Sequence, residues 1–348
     1  MDTKVSAVPA RLDSIATLAD FRRLVATLPG PDGAAVAAFR ERDAQLTKIP
    51  GSLGRLEEVG EWLAAWTGRT PPRVEAPLVA VFAANHGIAA KGVSAFPAEV
   101  TAQMVANYAA GGAAINQFCK AGGLALEVHA LDLDHPTPDV SEADAFDEAG
   151  LVAALRAGFA PATGGTDLLC FGEMGIGNTA IASAIFMGLT GGSAEDWVGP
   201  GTGVVGPALA GKRAVVTRAV ERIGGVRDPL EVLRRLGGRE IAAMVGAIVA
   251  ARHARVPVIV DGFVTTAAAA IVHALDPAGI DHCVFAHRSA EPAHRRILAL
   301  MGKEPLLDLG FRLGEGTGAA AAAPLVRLAA MTHAGMATFA EAGVSDKV

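Results

Sequence analysis

The sequence predicts an α/β fold: a doubly wound, mostly parallel sheet of about six strands, with a small helical subdomain built from both ends of the chain. Six short runs rich in Val, Leu, Ile and Phe are spaced along the chain, and helix-length segments separate most of them. Strands buried on both faces and joined by helices are typical of a parallel sheet covered on each side. The 41 glycines and long alanine runs among 348 residues suit close packing of helices on such a sheet.

The elements follow in order along the chain. The first 70 residues show helical patterns over Leu18–Leu28, Gly33–Leu46 and Leu53–Trp66, and Arg69–Arg73 then forms a linker. Strands are expected at Leu78–Ala84, Leu124–Leu133, Asp167–Phe171, Val256–Val260, His282–Ala286 and Pro305–Phe311. The tail after Gly318 is helical again, through Leu325–Met331 and Ala337–Ala342. The predicted division is a helical subdomain of residues 1–74 and 319–348 and a Rossmann-like catalytic domain of residues 75–318.

Composition and charge exclude several classes of protein. The net charge of −6 and the 5% aromatic content, with no basic cluster, argue against nucleic-acid binding. The apolar runs near 241–251 and 317–331 are rich in alanine and close to Arg252 and Arg327, which favours buried helices over membrane spans. Met1–Thr17 has no apolar core, so no signal peptide is expected. The three distant cysteines predict reduced core residues in a cytoplasmic protein, and the histidine spacing predicts no metal site.

Polar residues gather where the predicted strands end. In an open parallel sheet, ligands bind beyond the carboxyl ends of the strands. Five strand ends carry such residues: Asn85–Gly87, Glu173, Asp261-Gly262, Arg288-Ser289 and Glu315. Because all of these ends lie on one edge of the sheet, a single common site is expected there.

The segment Gly172–Thr179 (GEMGIGNT) is the most informative of these. Glycines at a strand-to-helix turn let backbone amides approach a ligand, and the helix that follows presents free N–H groups to an anion. Asn178 and Thr179 either add side-chain donors for that anion or cap the helix. The glycines around Glu173 favour the first interpretation.

A second glycine-rich segment, Val198–Gly206, contains the dinucleotide pattern G-x-G-x-x-G. The residues before it, Gly192–Trp197, do not form an apolar strand, and this context disfavours NAD binding. A loop that contacts phosphate or ribose is the better interpretation, with Lys212 nearby. Taken alone, that lysine would be typical of a solvated helix position.

Two further segments carry carboxylates. Val258–Thr266 superficially resembles the phosphate loop of phosphoribosyltransferases that use diphosphate sugars, but Gly262 stands where a second acidic residue is usual beside Asp261. This argues against a diphosphate donor and an obligatory metal. In Gly314–Gly318, Glu315 stands between glycines, where burial would raise its pKa and suit it to act as a general base. Capping of the next helix is an equal alternative for Glu315.

The stretch Asn85–Met104 mixes apolar and hydrogen-bonding side chains and is suited to a flat heteroaromatic ring. His86 is a candidate base, although a histidine at a strand end is more often structural.

Together these segments are similar to the nicotinate-nucleotide–dimethylbenzimidazole phosphoribosyltransferase family. The matching pieces stand in order along the chain: Lys48–Glu57, Asn85–Asn107, Gly111–Asn116, Gly172–Thr179, Val198–Gly203, Gly238–Met244, Asp261–Phe263, Ser289–His294 and Arg312–Gly318. The resemblance implies a homodimer without cofactor that transfers phosphoribose from nicotinate mononucleotide to 5,6-dimethylbenzimidazole, for the lower ligand of cobalamin.

The resemblance also implies roles for residues. Glu315 matches the general base and Glu173 a second active-site glutamate. Ser94 and Gln103 fall in the stretch of the benzimidazole pocket. The remaining candidate substrate-binding residues are Gly175, Gly177, Asn178, Thr179, Gly201, Gly203, Lys212, Asp261, Ser289, Gly314 and Gly316. The chain departs from the family at two places, with Asn85 for a common Asp and Thr179-Ala180 for a common Thr-Thr.

Two rival functions remain open at the level of sequence. One is a nicotinamide-dependent oxidoreductase, based on Gly201–Gly206, which binding of NADH would reveal. The other is a non-catalytic sensor of nucleotides or benzimidazoles, which would bind ligand and release no nicotinate. Glu173 and Glu315 argue against the sensor, because a binder of an anionic nucleotide gains little from two carboxylates. The preferred acceptor base is also open among benzimidazoles, adenine and phenolic compounds.

Overall fold

In the computed structural model, which describes Leu12 and residues 14–345, a single parallel sheet carries the fold. Its six strands are β1 (Pro77–Ala83), β2 (Ala125–Ala130), β3 (Leu168–Met174), β4 (Val258–Val260), β5 (Cys283–His287) and β6 (Pro305–Leu307). They lie in the order β2-β1-β3-β4-β5-β6, and every neighbouring pair is parallel. The predicted α/β fold class and the six predicted strands are confirmed.

The order in which the chain adds strands to the sheet reverses at β1. The chain crosses from β1 to β2 on one side and then returns to β3 on the other, so that Leu78 has Ala125 and Leu169 as its two neighbours. In sheets of this kind a crevice opens beyond the carboxyl ends of the strands at the reversal. The topology therefore predicts a ligand site at the carboxyl edge of the sheet, near the end of β3.

Helices cover both faces of the sheet. In chain order they are α1 (Leu18–Val25), α2 (Gly33–Asp43), α3 (Arg55–Thr67), α4 (Val100–Ala109), α5 (Ala114–Gly122), α6 (Glu148–Ala157), α7 (Phe159–Thr163), α8 (Asn178–Thr190), α9 (Ala194–Trp197), α10 (Gly206–Arg222), α11 (Pro229–Leu236), α12 (Arg239–His253), α13 (Phe263–Leu275), α14 (Pro292–Leu300), α15 (Thr317–Gly335) and α16 (Phe339–Ala342). Short 3₁₀ turns lie at Gly87–Lys91 and Pro277–Ile280. One apolar core joins the sheet to α6, α8, α12 and α13, and a second joins it to α3, α5 and α15.

The two edge strands are less buried than predicted. Side chains of β2 are exposed or half-buried and those of β6 are half-buried, whereas β1 is buried throughout. An edge strand has one neighbour, so less of its surface is covered. The prediction that all six strands are buried on both faces is therefore wrong for β2 and β6.

The helices from the two chain ends pack on one another. Helix α3 packs on α15, Leu46 bridges to Thr338, and Arg42 donates hydrogen bonds to carbonyls at the end of α15. The first turns of α15 also lie on the sheet, where Ala319 and Ala322 are buried. This helix begins at Thr317, in agreement with the buried helix predicted for the apolar run 317–331, and continues through Pro324. The division into two domains stays a prediction.

The cysteines and the apolar helices agree with the sequence predictions. The three cysteines are buried and unpaired, as predicted. No helix of the described residues is long and apolar enough to span a membrane. The expectation for Met1–Thr17 falls largely outside the described residues.

Candidate active site

A cavity of about 310 Å³ opens at the carboxyl ends of β3, β4 and β5. Four carboxyl groups stand on its wall, from Glu173, Asp261, Glu291 and Glu315. Apolar side chains line the rest, among them Phe96, Val100, Met104, Met174, Phe263 and Leu313. A cavity of this size with a few convergent polar groups is typical of a small-molecule site.

Glu315 reaches the cavity because two glycine segments cross behind it. Gly172 lies so close to the Glu315 backbone that a Cβ on it would stand 2.4 Å from the Glu315 carbonyl oxygen. Glu315 itself has a left-handed backbone, with φ of 61°, and glycines with positive φ stand on both sides of it. Its Oε2 accepts a hydrogen bond of 3.3 Å from the Ile115 amide. The two glycine-flanked glutamates seen in the sequence thus meet at one place.

The Glu315 side chain does not cap the helix that follows. Helix α15 has no side-chain cap from its own N-terminal residues, and its Ala319 amide donates instead to Asp261 Oδ1 over 2.8 Å. The capping alternative for Glu315 is therefore wrong, and Asp261 at the end of β4 takes that function. This bond fixes the start of α15 to the sheet beneath the cavity.

Glu173 is held by the first residue of α8. The Asn178 amide donates to Glu173 Oε2, and the backbone of Gly314 runs directly over the other oxygen. Helix α8 has no side-chain cap, and the N-cap position is Gly177 with φ of 93°. Asn178 therefore donates to Glu173 and does not cap the helix, and its expected contact with a bound anion stays a prediction.

Burial raises the pKa of the carboxyl groups on the cavity wall. The pKa of Glu173 rises to about 8, first because of burial and then because of the negative charge of Asp261. The pKa of Asp261 rises to about 7 by burial, against the hydrogen bonds it accepts from backbone amides of α15. Burial also raises the pKa of Glu315. A cavity that brings these carboxyls together holds protons near neutral pH.

The loop 199–203 forms the opposite wall and is supported by Lys212. This lysine is 1% exposed, and its Nζ donates to Thr179 Oγ1 over 2.9 Å and to the Gly199 carbonyl over 3.1 Å. Burial lowers its pKa to about 8. A solvated helix position for Lys212 is therefore wrong. Helix α9 precedes the loop where a dinucleotide fold would have a strand, which agrees with the sequence argument against NAD.

The segment after β5 is fixed by a neutral histidine. The Ser289 amide donates to His294 Nδ1 over 2.9 Å, so His294 Nε2 carries the proton and donates to Thr266 Oγ1 over 2.9 Å. Burial lowers the pKa of His294 to about 3, in agreement with the neutral ring. Ser289 and Glu291 are thereby held on the cavity wall.

The structure brings most of the predicted site residues to the cavity. Nine line it: Glu173, Gly175, Asn178, Thr179, Gly201, Asp261, Ser289, Gly314 and Glu315. Six stand behind or beside the wall: Gly177, Gly203, Lys212, Gly316, Ser94 and Gln103. Gln103 is exposed on α4, whereas Ser94 bonds to Thr202 over 2.9 Å and joins its loop to loop 199–203.

The sequence did not single out three titratable residues on the wall. They are His287, Glu291 and Arg312. The fifth strand was predicted to end at Ala286, one residue short of His287, and the other two lie inside segments quoted only for their resemblance. Burial lowers the pKa of His287, whose Nε2 lies 3.8 Å from Asp261 Oδ1. The sequence signal that could have identified His287 is its position as a polar residue directly after the predicted buried strand.

His86 and Asn85 stand outside the cavity wall. His86 is buried with its Nε2 3.0 Å from Glu240 Oε1, and it packs under Gly175. The Asn85 amide donates to the Leu133 carbonyl over 2.9 Å. A carboxylate cannot donate this bond, so the asparagine suits the loop after β2 in this chain.

Known proteins match this chain over a range that includes every residue of the cavity wall. A family model described as phosphoribosyltransferase matches residues 28–344. The nicotinate-nucleotide–dimethylbenzimidazole phosphoribosyltransferase of Sinorhizobium medicae is 62% identical over 330 residues, which span 94% of this chain and 97% of that protein. The protein of that name from Brucella canis is 62% identical over 327 residues, 94% and 96% of the two chains. The crystal structure of CobT from Thermus thermophilus has a TM-score of 0.84 and 42% identity, and the match covers 90% of this chain and 100% of that one.

Proposed function

Because the chain belongs to the nicotinate-nucleotide–dimethylbenzimidazole phosphoribosyltransferase family, we propose that its cavity transfers the 5-phosphoribosyl group of nicotinate mononucleotide to 5,6-dimethylbenzimidazole. The products are α-ribazole 5′-phosphate and nicotinate, in the assembly of the cobalamin nucleotide loop. The observation that carries the assignment of the site is the meeting of buried Glu315 and Glu173 at one cavity of small-molecule size.

The reaction is a substitution at C1′ of the ribose. A bond forms between one benzimidazole nitrogen and C1′ as the bond from C1′ to the pyridinium nitrogen breaks. The electron pair of the broken bond returns to the pyridine ring and neutralises it, so the leaving group requires no acid. Attack from the face opposite to nicotinate turns the β-linked donor into an α-linked product. Holding both substrates in one cavity supplies much of the acceleration.

Glu315 acts as the general base in this proposal. Positive charge builds on the benzimidazole as its nitrogen attacks, and the proton on its other nitrogen must leave. The Ile115 amide holds one oxygen of Glu315, so the second oxygen is available for that proton. The raised pKa that burial gives Glu315 makes it a stronger base than an exposed glutamate.

Glu173 and Asp261 stand beside the ribose in the same proposal. With pKa values of about 8 and about 7, Glu173 is mostly protonated and Asp261 about half protonated in the free protein at neutral pH, which reduces repulsion of the anionic donor. Positive charge that develops at C1′ then favours the ionised form. Their contribution is therefore larger in the transition state than in the ground state, as catalysis requires.

The donor is placed at the start of α8 and against loop 199–203. The positive end of the α8 dipole and the positive charge of Lys212 favour a phosphate there. Gly175 and Gly201 have no room for a side chain, because a Cβ would collide with Ala84 and His86 at the first position and with Thr179 and Lys212 at the second. Bare backbone therefore lines the cavity at both positions. Gly314 and Ser289 complete the wall on the ribose side.

The acceptor ring is placed among the apolar side chains at the mouth. Phe96, Val100 and Met104 come from the stretch that the sequence assigns to a flat heteroaromatic ring, and Leu313 lines the same cavity. Ser94 supports this wall through its bond to Thr202. Nothing on this wall is charged, which suits the neutral benzimidazole.

We also propose a homodimer that works in the cytoplasm, from the resemblance to the family. Helix α15 carries exposed Leu325, Leu328 and Met331 on one face, and an apolar surface of this kind is typical of a subunit contact. Light scattering after gel filtration measures the mass, and a monomer at micromolar concentration would contradict the dimer.

The function is tested by an end-point reaction. Purified protein is incubated with nicotinate mononucleotide and dimethylbenzimidazole, and the products are identified by mass spectrometry. Ribazole phosphate and nicotinate in equal amounts are expected. Binding of the mononucleotide without release of nicotinate would point to the sensor, and adenine and phenolic compounds in parallel reactions define the acceptor preference.

A further inference from the structure

The loop 199–203 already holds an anion from within the chain. Glu291, 5% exposed at the start of α14, places Oε1 2.8 Å from the Gly201 amide nitrogen and accepts its hydrogen bond. Its Oε2 lies against Gly199, where a Cβ would stand 2.1 Å away. The carboxylate thus lies flat on the backbone of this loop.

Two cations flank the same position. The Lys212 ammonium lies 2.8 Å from the place of a Cβ on Gly201, and Arg312 Nη1 lies 3.3 Å from the Gly201 carbonyl oxygen. Both attract the Glu291 carboxylate and oppose the rise in pKa that burial causes. The hydrogen bonds of Lys212 go to neutral oxygens, on Thr179 and Gly199. A backbone amide and two cations therefore surround one anionic position.

We propose that the Glu291 carboxylate occupies, in the free enzyme, the place of the donor's phosphate on loop 199–203, and that phosphate binding displaces it. The identity of the anion rests on the proposed function, whereas the anion site itself rests on the contacts of Glu291. Two negatively charged groups cannot share the Gly201 amide, because like charges at hydrogen-bond distance repel strongly in a buried site.

An internal carboxylate at this place has two consequences for the reaction. It stabilises the loop and the buried Lys212 when no substrate is bound, at the expense of donor affinity. The product carries the same phosphate as the donor, so Glu291 competes with the product as well and favours its release. Glu291 is thus a positioning residue that sets the affinity for phosphate.

The test is the binding of inorganic phosphate and of nicotinate mononucleotide, measured by calorimetry on the full chain. Glu291→Gln keeps an oxygen to accept from the Gly201 amide but removes the charge. Loss of one charge-assisted competitor is expected to lower the Kd for both ligands about tenfold. Glu195→Gln is the matched control, since it makes the same change in charge at an exposed position on α9, and it should leave both Kd values unchanged.

An unchanged or higher Kd in Glu291→Gln would overturn the proposal and leave Glu291 as an anchor of the loop. If that variant does not fold, Glu291→Ala decides by the same criterion. Thermal unfolding gives a second readout, because added phosphate should raise the Tm of the variant more than that of the wild type. Tighter phosphate binding in a protein that fails to turn over the mononucleotide would support the anion site and contradict only the proposed function.

Discussion

Gly172→Ala moves the proposed base without touching its side chain. Gly172 lies within β3, and a Cβ there would stand 2.4 Å from the Glu315 carbonyl oxygen and 2.7 Å from its carbonyl carbon. The optimal separation of non-bonded heavy atoms is about 3.5 Å, so the Glu315 backbone must move away by about 1 Å. A displacement of about 1 Å at a catalytic group costs about 100-fold in rate. We expect kcat to fall about 100-fold, with a loss of about 1–3 kcal/mol of stability from overpacking.

The assay is nicotinate release at saturating substrates, with the Kd of nicotinate mononucleotide measured separately. Gly211→Ala is the matched control: a Cβ on Gly211 meets nothing within 4 Å, and the residue lies inside helix α10. We expect this control to keep full activity and to gain about 0.5–1 kcal/mol of stability. A folded Gly172→Ala protein whose kcat stays within twofold of the wild type would refute the crossing of the two segments as the device that places Glu315.

Two further predictions concern the charges and the mouth of the cavity. The carboxyls of Glu173 and Asp261 titrate near pH 4 in the unfolded chain, but burial raises their pKa to about 8 and about 7 in the folded protein. The folded state therefore holds protons that the unfolded state has lost, and stability falls as the pH rises through this range. Buried Lys212 and His294, whose pKa values burial lowers, change stability in the opposite sense, so the test is the comparison of two proteins. Raising the pH from 6 to 9 should lower the Tm of the wild type relative to that of Glu173→Gln, and an equal change in the two proteins would contradict the assignment. Phe96→Ala removes an apolar ring from the mouth and should raise the KM for dimethylbenzimidazole about tenfold with the mononucleotide Kd unchanged; an equal rise in both would place the ring in the donor site.

The sequence predicts the sheet and part of the site because both leave a local pattern. The buried strands are apolar runs, and Glu173 and Glu315 are marked by glycines at strand ends. The pattern fails where burial depends on neighbours in space. Nothing in the residues of β2 shows that it has one neighbouring strand, and nothing near Lys212 shows that loop 199–203 covers it.

Glu291 shows the same limit within the site. The residue stands 90 positions from Gly201, with which it forms its hydrogen bond. A contact over such a separation is produced by the assembly of the sheet and leaves no periodic signal in the chain. The sequence could indicate only that a polar segment follows β5, and the structure was needed to show which residues it brings together.

The most direct test of the account compares wild-type protein with Glu315→Gln. Nicotinate release is followed at saturating nicotinate mononucleotide and dimethylbenzimidazole, and the mononucleotide Kd is measured on both proteins. The amide keeps the shape of the side chain and its bond to the Ile115 amide but cannot accept the proton. We expect an unchanged Kd and a kcat lower by about 10²–10⁴-fold, the range of general base catalysis. A kcat close to that of the wild type would contradict Glu315 as the base and, with it, the proposed chemistry of the cavity.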